Sequence, residues 1–268
     1  MAKTKFFPID LKSYYHPITA LIASLILLAI LEALYYKQAY IWVIAAAPTL
    51  IGLLFLFWIL GGHLLQRFLL KFKKMILPGL LILGACFFII FEPSKVLRQI
   101  VIMVVALSFF YFMLVYRQIP VEEEKDLPKI SGFVHFLILL TVFLDYLIVY
   151  DLYFSFFLPF WAAQLLTLII ASLLFYYLLW ATANLSTHSW FFVILLGLIT
   201  YEIFLILVFW RTDSMVRSMI LTTIFYIFVG LITARLKKEL NLAKILEYLF
   251  AGAVVLILVI MTMRWYPF

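Results

Sequence analysis

The chain has 268 residues, 68% of them hydrophobic and 12% charged, with a formal net charge of +7 and a mean hydropathy of +1.20. No soluble fold hides that much apolar surface, and continuous rather than alternating apolar runs exclude a membrane β-barrel. The positive charge lies beside apolar runs, which points to lipid headgroups and not to nucleic acid, and the single cysteine, Cys86, leaves no disulfide or Cys-based metal framework.

The expected fold is all-α: one polytopic membrane bundle over 1–268, with about nine spans and no soluble domain. Residues 1–17 form a basic head carrying Lys3, Lys5 and Lys12, and Pro17 is expected to open the first helix, where its missing N–H costs nothing. The following apolar run is too long for a signal peptide and lacks a small-residue cleavage site, so 18–36 is read as span one, carrying Glu32. Span two, 40–62, is bracketed by Trp42 and Trp58. Its Pro48, read as the only proline deep inside a span, predicts a kink.

The next stretch, HLLQRFLLKFKK (63–74), repeats His63, Arg67, Lys71 and Lys74 at helical spacing against leucine and phenylalanine. It reads as an interfacial turn of helix on anionic headgroups or, equally well, as a topology-setting basic loop. Span three, 75–91, has Pro78 in its first turn and ends at Glu92-Pro93; span four, 96–116, has Arg98 in its first turn. The loop RQIPVEEEKDLPKIS (117–131) is the most polar stretch and reads as a solvated turn, with a partner-docking patch as the lesser alternative.

Span five, 132–150, contains His135 and Asp145; span six, 157–181, contains Gln164, with Pro159 in its first turn and Trp161 and Trp180 near its ends. Span seven, 190–210, runs from Trp190 to Trp210 and carries Glu202. Arg211 to Arg217 forms a tight turn into span eight, 216–234, and the basic connection RLKKELNLAK (235–244) leads to span nine, 246–264.

With the N-terminus cytoplasmic, fourteen of the 20 Lys and Arg lie inside, as the positive-inside rule favours. The expected location is the plasma membrane, with the C-terminus outside. Anionic headgroups are expected at Arg67, Lys71, Lys73 and Lys74 and at Arg235, Lys237 and Lys238. Spans three and nine share a faint likeness, KKMILPGLLILGACFFII against AKILEYLFAGAVVLILVI, which reads as low-complexity coincidence and not as an internal repeat.

Ionisable residues inside spans are the natural functional candidates, because lipid makes them costly. At 1.5 Å per residue, Glu32 lies roughly 7 Å, Asp145 roughly 6 Å and Glu202 roughly 3 Å outward of its span's midpoint. Gln164 shares that half, while Arg98, Arg211 and Arg217 sit at the outer mouth, able to pair with the acids. Together these predict an outward-facing polar cavity with Glu32, Asp145, Glu202, Gln164 and Arg98 as substrate- or ion-binding residues. Helix packing is the bland alternative for each acid taken singly; Gln164 and Thr167 are expected to hydrogen-bond across helices.

Metalloprotease, phosphate-loop and serine-hydrolase motifs are absent from the sequence, the four histidines have no ligand spacing, and no cofactor is implied. Tyr150-Asp151 matches half of an intramembrane aspartyl protease pair, but no Gly-x-Gly-Asp half accompanies it. The leading expectation is a transporter or a solute- or lipid-binding protein. The alternatives are an enzyme acting on a lipid-linked substrate at the outer leaflet and a non-catalytic scaffold or accessory subunit.

Overall fold

A computed structural model describes residues 11–36, 50, 52, 68–92, 94–118, 132–155, 157–181, 189–210, 212–236 and 238–262. Among them are eight helices and no strand: α1 (Leu11–Tyr36), α2 (Phe68–Phe91), α3 (Lys95–Gln118), α4 (Gly132–Phe154), α5 (Phe160–Ala181), α6 (Ser189–Val208), α7 (Ser214–Leu236) and α8 (Leu242–Thr262). Seven of these, α2 to α8, are long and apolar enough to cross a membrane; α1 carries a shorter apolar stretch, Ile18–Ala33. The chain is therefore a helical membrane-type protein. Span two, with Pro48, lies outside the described residues except for Leu50 and Gly52, as does most of the 117–131 loop.

Apolar length marks what sits in hydrocarbon, whereas backbone hydrogen bonding runs on into the polar layer, so several helices outlast their expected spans. α1 begins at Leu11, six residues before Pro17. α2 begins at Phe68, so the second half of the basic 63–74 stretch is continuous with the spanning helix and Pro78 is interior. Pro78 nevertheless stays near the start of the apolar stretch Lys73–Phe91. It has no N–H to give to the helical ladder. α4 runs on to Phe154, which makes Asp151 helical.

Local chemistry explains the helix ends. The Ser94 hydroxyl accepts from Leu97 N (3.4 Å) at the start of α3, and the Asn241 side chain accepts from Lys244 N (2.8 Å) at the start of α8. α7 closes with Lys238 at φ 58°, Lys238 N on Arg235 O and Glu239 N on Ala234 O, a left-handed cap that usually takes glycine.

α4 is the central helix, packed against α2, α5 and α7. α2 also meets α1, α3 and α5; α6 lies against α5 and α7; α8 packs on α7 at the periphery. Tyr146, Tyr150, Phe175, Phe204 and Phe225 are fully buried in this core, with the Tyr150 and Phe204 rings stacked 4.7 Å apart. Thr141, Thr167 and Thr200 each donate to the carbonyl four residues earlier on their own helices. Thr167 therefore does not show the cross-helix bond expected of it.

Candidate functional site

At one end of the bundle, the last turns of α2 and α4 meet the turn between α6 and α7 around a cavity of about 370 Å³. Phe88, Phe91, Leu147 and Met215 supply its apolar wall, and Glu92, Asp151, Asp213 and Ser214 its polar one. Each acid is set by its helix end. Glu92 follows α2, and its Oε1 accepts from Ser94 N (3.0 Å). The Asp213 carbonyl accepts from Arg217 N (3.2 Å), which makes Asp213 the N-cap residue of α7.

Glu92 and Asp213 thus lie at the positive N-terminal ends of α3 and α7, where a carboxylate is welcome. Asp151 does not have that compensation. It occupies the last turn of α4, the negative end of that helix, and Glu92 is close enough to act on it electrostatically. Its support is the Ser214 side chain, within hydrogen-bond reach.

Among the described residues no basic residue lines the cavity. Arg217, one turn into α7, is close enough to Asp213 to feel its charge but is committed elsewhere. Its Nε and Nη2 donate to the Trp210 carbonyl at 3.0 and 2.5 Å, and its guanidinium lies 4.0 Å over the Phe154 ring. Among the described residues no group of three His, Cys, Asp or Glu is placed to hold a metal ion. The described polar lining makes the cavity an acidic recess.

The residues singled out from the sequence lie elsewhere, and none of them lines this cavity. Glu32 is half-buried on α1 and accepts from Gln99 Nε2 of α3 (3.3 Å). Asp145 is buried in the core; its Oδ1 sits where Gly84 of α2 leaves room, since a Cβ there would come within 2.8 Å of it, and its Oδ2 has no hydrogen-bond partner among the described residues. Gln164, buried on α5, accepts from Tyr201 OH of α6 (3.4 Å), a cross-helix bond as expected. Arg98 is buried, and its Nη1 donates to Ile89 O of α2 (3.5 Å). Glu202 is exposed on α6. The three intramembrane acids therefore occupy three different surroundings, because shared depth fixes height along a helix and not direction around it.

Glu92, Asp151 and Asp213 carried a different sequence signal, one acid just at or beyond the end of alternate helices. Alternate helices in a bundle end on the same side, so these acids had to share a layer.

A family model described as "Protein of unknown function (DUF5656)" matches residues 33–262. No curated protein matches the chain, and no solved structure does.

Proposed function

We propose, for a chain that belongs to the DUF5656 family, that its function is to bind a small, positively charged organic solute at the acidic end of the membrane bundle. One observation carries this reading: a cavity of about 370 Å³ bears three carboxyl groups and, among the described residues, no cation. That volume falls within the range of small-molecule sites, and among the described residues no three acids are placed to hold a metal ion. Phe88 and Phe91 give the solute's carbon skeleton an apolar and aromatic wall. Asp151 is the principal counter-charge, because its own helix end does not compensate it. In the orientation favoured by the Lys and Arg distribution, this end faces outward.

The lipid-enzyme reading needs arginines ready to grip phosphate. Of the outer arginines, Arg98 and Arg217 donate to backbone carbonyls instead, which favours cation binding; Arg211 lies outside the described residues. At the opposite end, Arg235 and Lys238 are exposed and, with Lys73, suited to anionic headgroups; Arg67, Lys237 and the Lys71 side chain lie outside what the structure describes. Lys74 is buried in the fold and is a weaker candidate for that role.

The test is calorimetric titration of the protein in lipid nanodiscs with choline, ethanolamine and a polyamine, with acetate and inorganic phosphate as controls. The amines are expected to bind and the anions not. D151N is expected to weaken amine binding at least tenfold, as loss of a charge-assisted contact does. Amines that do not bind, or that bind D151N as well as the native chain, overturn the reading. Gradient-dependent uptake of the bound amine into proteoliposomes extends it to transport; turnover of a lipid substrate in detergent, without a gradient, replaces it with the enzyme reading.

A further inference from the structure

α6 ends at Val208 and α7 begins at Ser214, so only five residues turn the chain between them. A chain leaving a helix presents carbonyls that no helical N–H reaches. Here the Trp210 carbonyl accepts from Thr212 N (2.9 Å) and from Arg217 Nε and Nη2 (3.0 and 2.5 Å). Arg217 is buried and belongs to α7. It therefore ties the chain leaving α6 to the helix that follows.

The same guanidinium reaches a third helix. Its carbon lies 4.0 Å from the centre of the Phe154 ring and 5.8 Å from that of Tyr150, both near the end of α4. Tyr150 is itself stacked on Phe204 of α6 at 4.7 Å. A planar guanidinium can donate two bonds along its edge while a ring lies against its face; an ammonium cannot do both. The elements joined in this way carry much of the acidic recess. Asp151 lies three residues before Phe154, and Asp213 and Ser214 lie four and three residues before Arg217.

We propose that Arg217 is a positioning residue of the recess: its guanidinium clamps the α6–α7 turn onto the end of α4 and so sets Asp213 and Ser214 against Asp151. The effect on solute binding rests on the reading of the recess as an amine site, whereas the clamp itself does not. Charge and position predict opposite signs. Arg217 is close enough to Asp213 to feel its charge, so removing that cation alone makes the recess more attractive to an amine. Losing the clamp weakens amine binding, because Asp213 and Asp151 are no longer held in one arrangement.

The test reads geometry and binding separately. Spin labels at F209C and S155C, in a C86A background in nanodiscs, report the distance between the turn and α4. Both positions are exposed, and neither lines the recess. A narrow distance distribution is expected with Arg217 in place, and a broad one in R217Q and R217K. In calorimetric titration with choline, ethanolamine and a polyamine, both variants are expected to bind about tenfold more weakly than the native chain, the scale of one lost charge-assisted contact. F154L removes the ring and keeps the arginine with its carbonyl bonds. It is expected to broaden the distribution and to weaken binding about threefold, the scale of an exposed cation–π contact, and it decides the matter if the Arg217 variants do not fold. The proposal is overturned by distributions as narrow as the native one in these variants, or by R217Q binding amines as tightly as the native chain or more so. If no amine binds the native chain, the amine reading falls and the spin-label distances still decide the clamp.

Discussion

α2 and α8 resemble one another as text and differ most as structure. The stretches 73–90 and 243–260 are both almost wholly apolar, each follows a basic turn, and each carries a Gly-Ala pair. Yet 67% of the spanning window of α2 is buried inside the protein, against 11% of that of α8. In water this could not happen, because an apolar residue left outside would be expelled from solvent. In a membrane, lipid tails are as apolar as leucine, so hydrophobicity keeps a helix in the bilayer without saying what it faces. The neighbours of the two glycines separate the helices. Gly84 lies under Leu144 and Asp145 of the central α4, whereas Gly252 lies under Ile227 and Thr223 of α7.

Leucine at position 84 gives the largest effect by which this comparison can be broken. A Cβ there meets Leu144 Cβ at 3.1 Å and Asp145 Oδ1 at 2.8 Å. G84L is therefore expected to cost about 3 kcal/mol or to prevent folding, read as the loss of a thermal unfolding transition in detergent. A native-like transition would mean that α2 is not held tightly against α4.

G252L should cost less, about 1–2 kcal/mol, because the atoms in the way belong to the flexible end of Ile227. Its damage should stay local. A cysteine pair joining α7 to α8 is expected to cross-link less in G252L, while one joining α2 to α4 is unchanged. Equal losses at both pairs would show that α8 is as integral to the bundle as α2.

D145N sharpens the comparison with the opposite sign. The Asp145 carboxyl keeps one oxygen unpartnered inside the core, and an amide of the same shape removes the possibility of a buried charge. Stability is expected to hold or to rise by up to about 1 kcal/mol. A fall of more than that would show that the carboxyl makes a bond the amide does not replace. The smallest effect belongs to F250A. Phe250 is 73% exposed on α8, and its truncation should leave the unfolding midpoint in detergent unchanged within error; a clear drop would reveal a packed face where the comparison places lipid.

How the two kinds of acid divide explains what was legible beforehand and what was not. Asp145 and Glu202 are alike in the sequence, each a single acid within an apolar run, yet one is buried against α2 and the other is exposed on α6. Glu92 read as the end of a span, Asp213 as part of a tight turn and Asp151 as half of an incomplete pair, and they line the cavity. Read alone, the sequence determined that the chain is helical, where most described helices lie, and which helices carry an ionisable group. It did so because hydrocarbon offers the backbone no hydrogen bonds, so every long apolar run must satisfy its own as a helix. Only the tertiary structure decided that α4 is central and α8 peripheral, which face of each helix meets protein, and that three helix ends close on one acidic recess. Those outcomes depend on the fit of one helix surface against another, through contacts such as that between Gly84 and Asp145, and composition does not encode such a fit when the solvent is as apolar as the side chains.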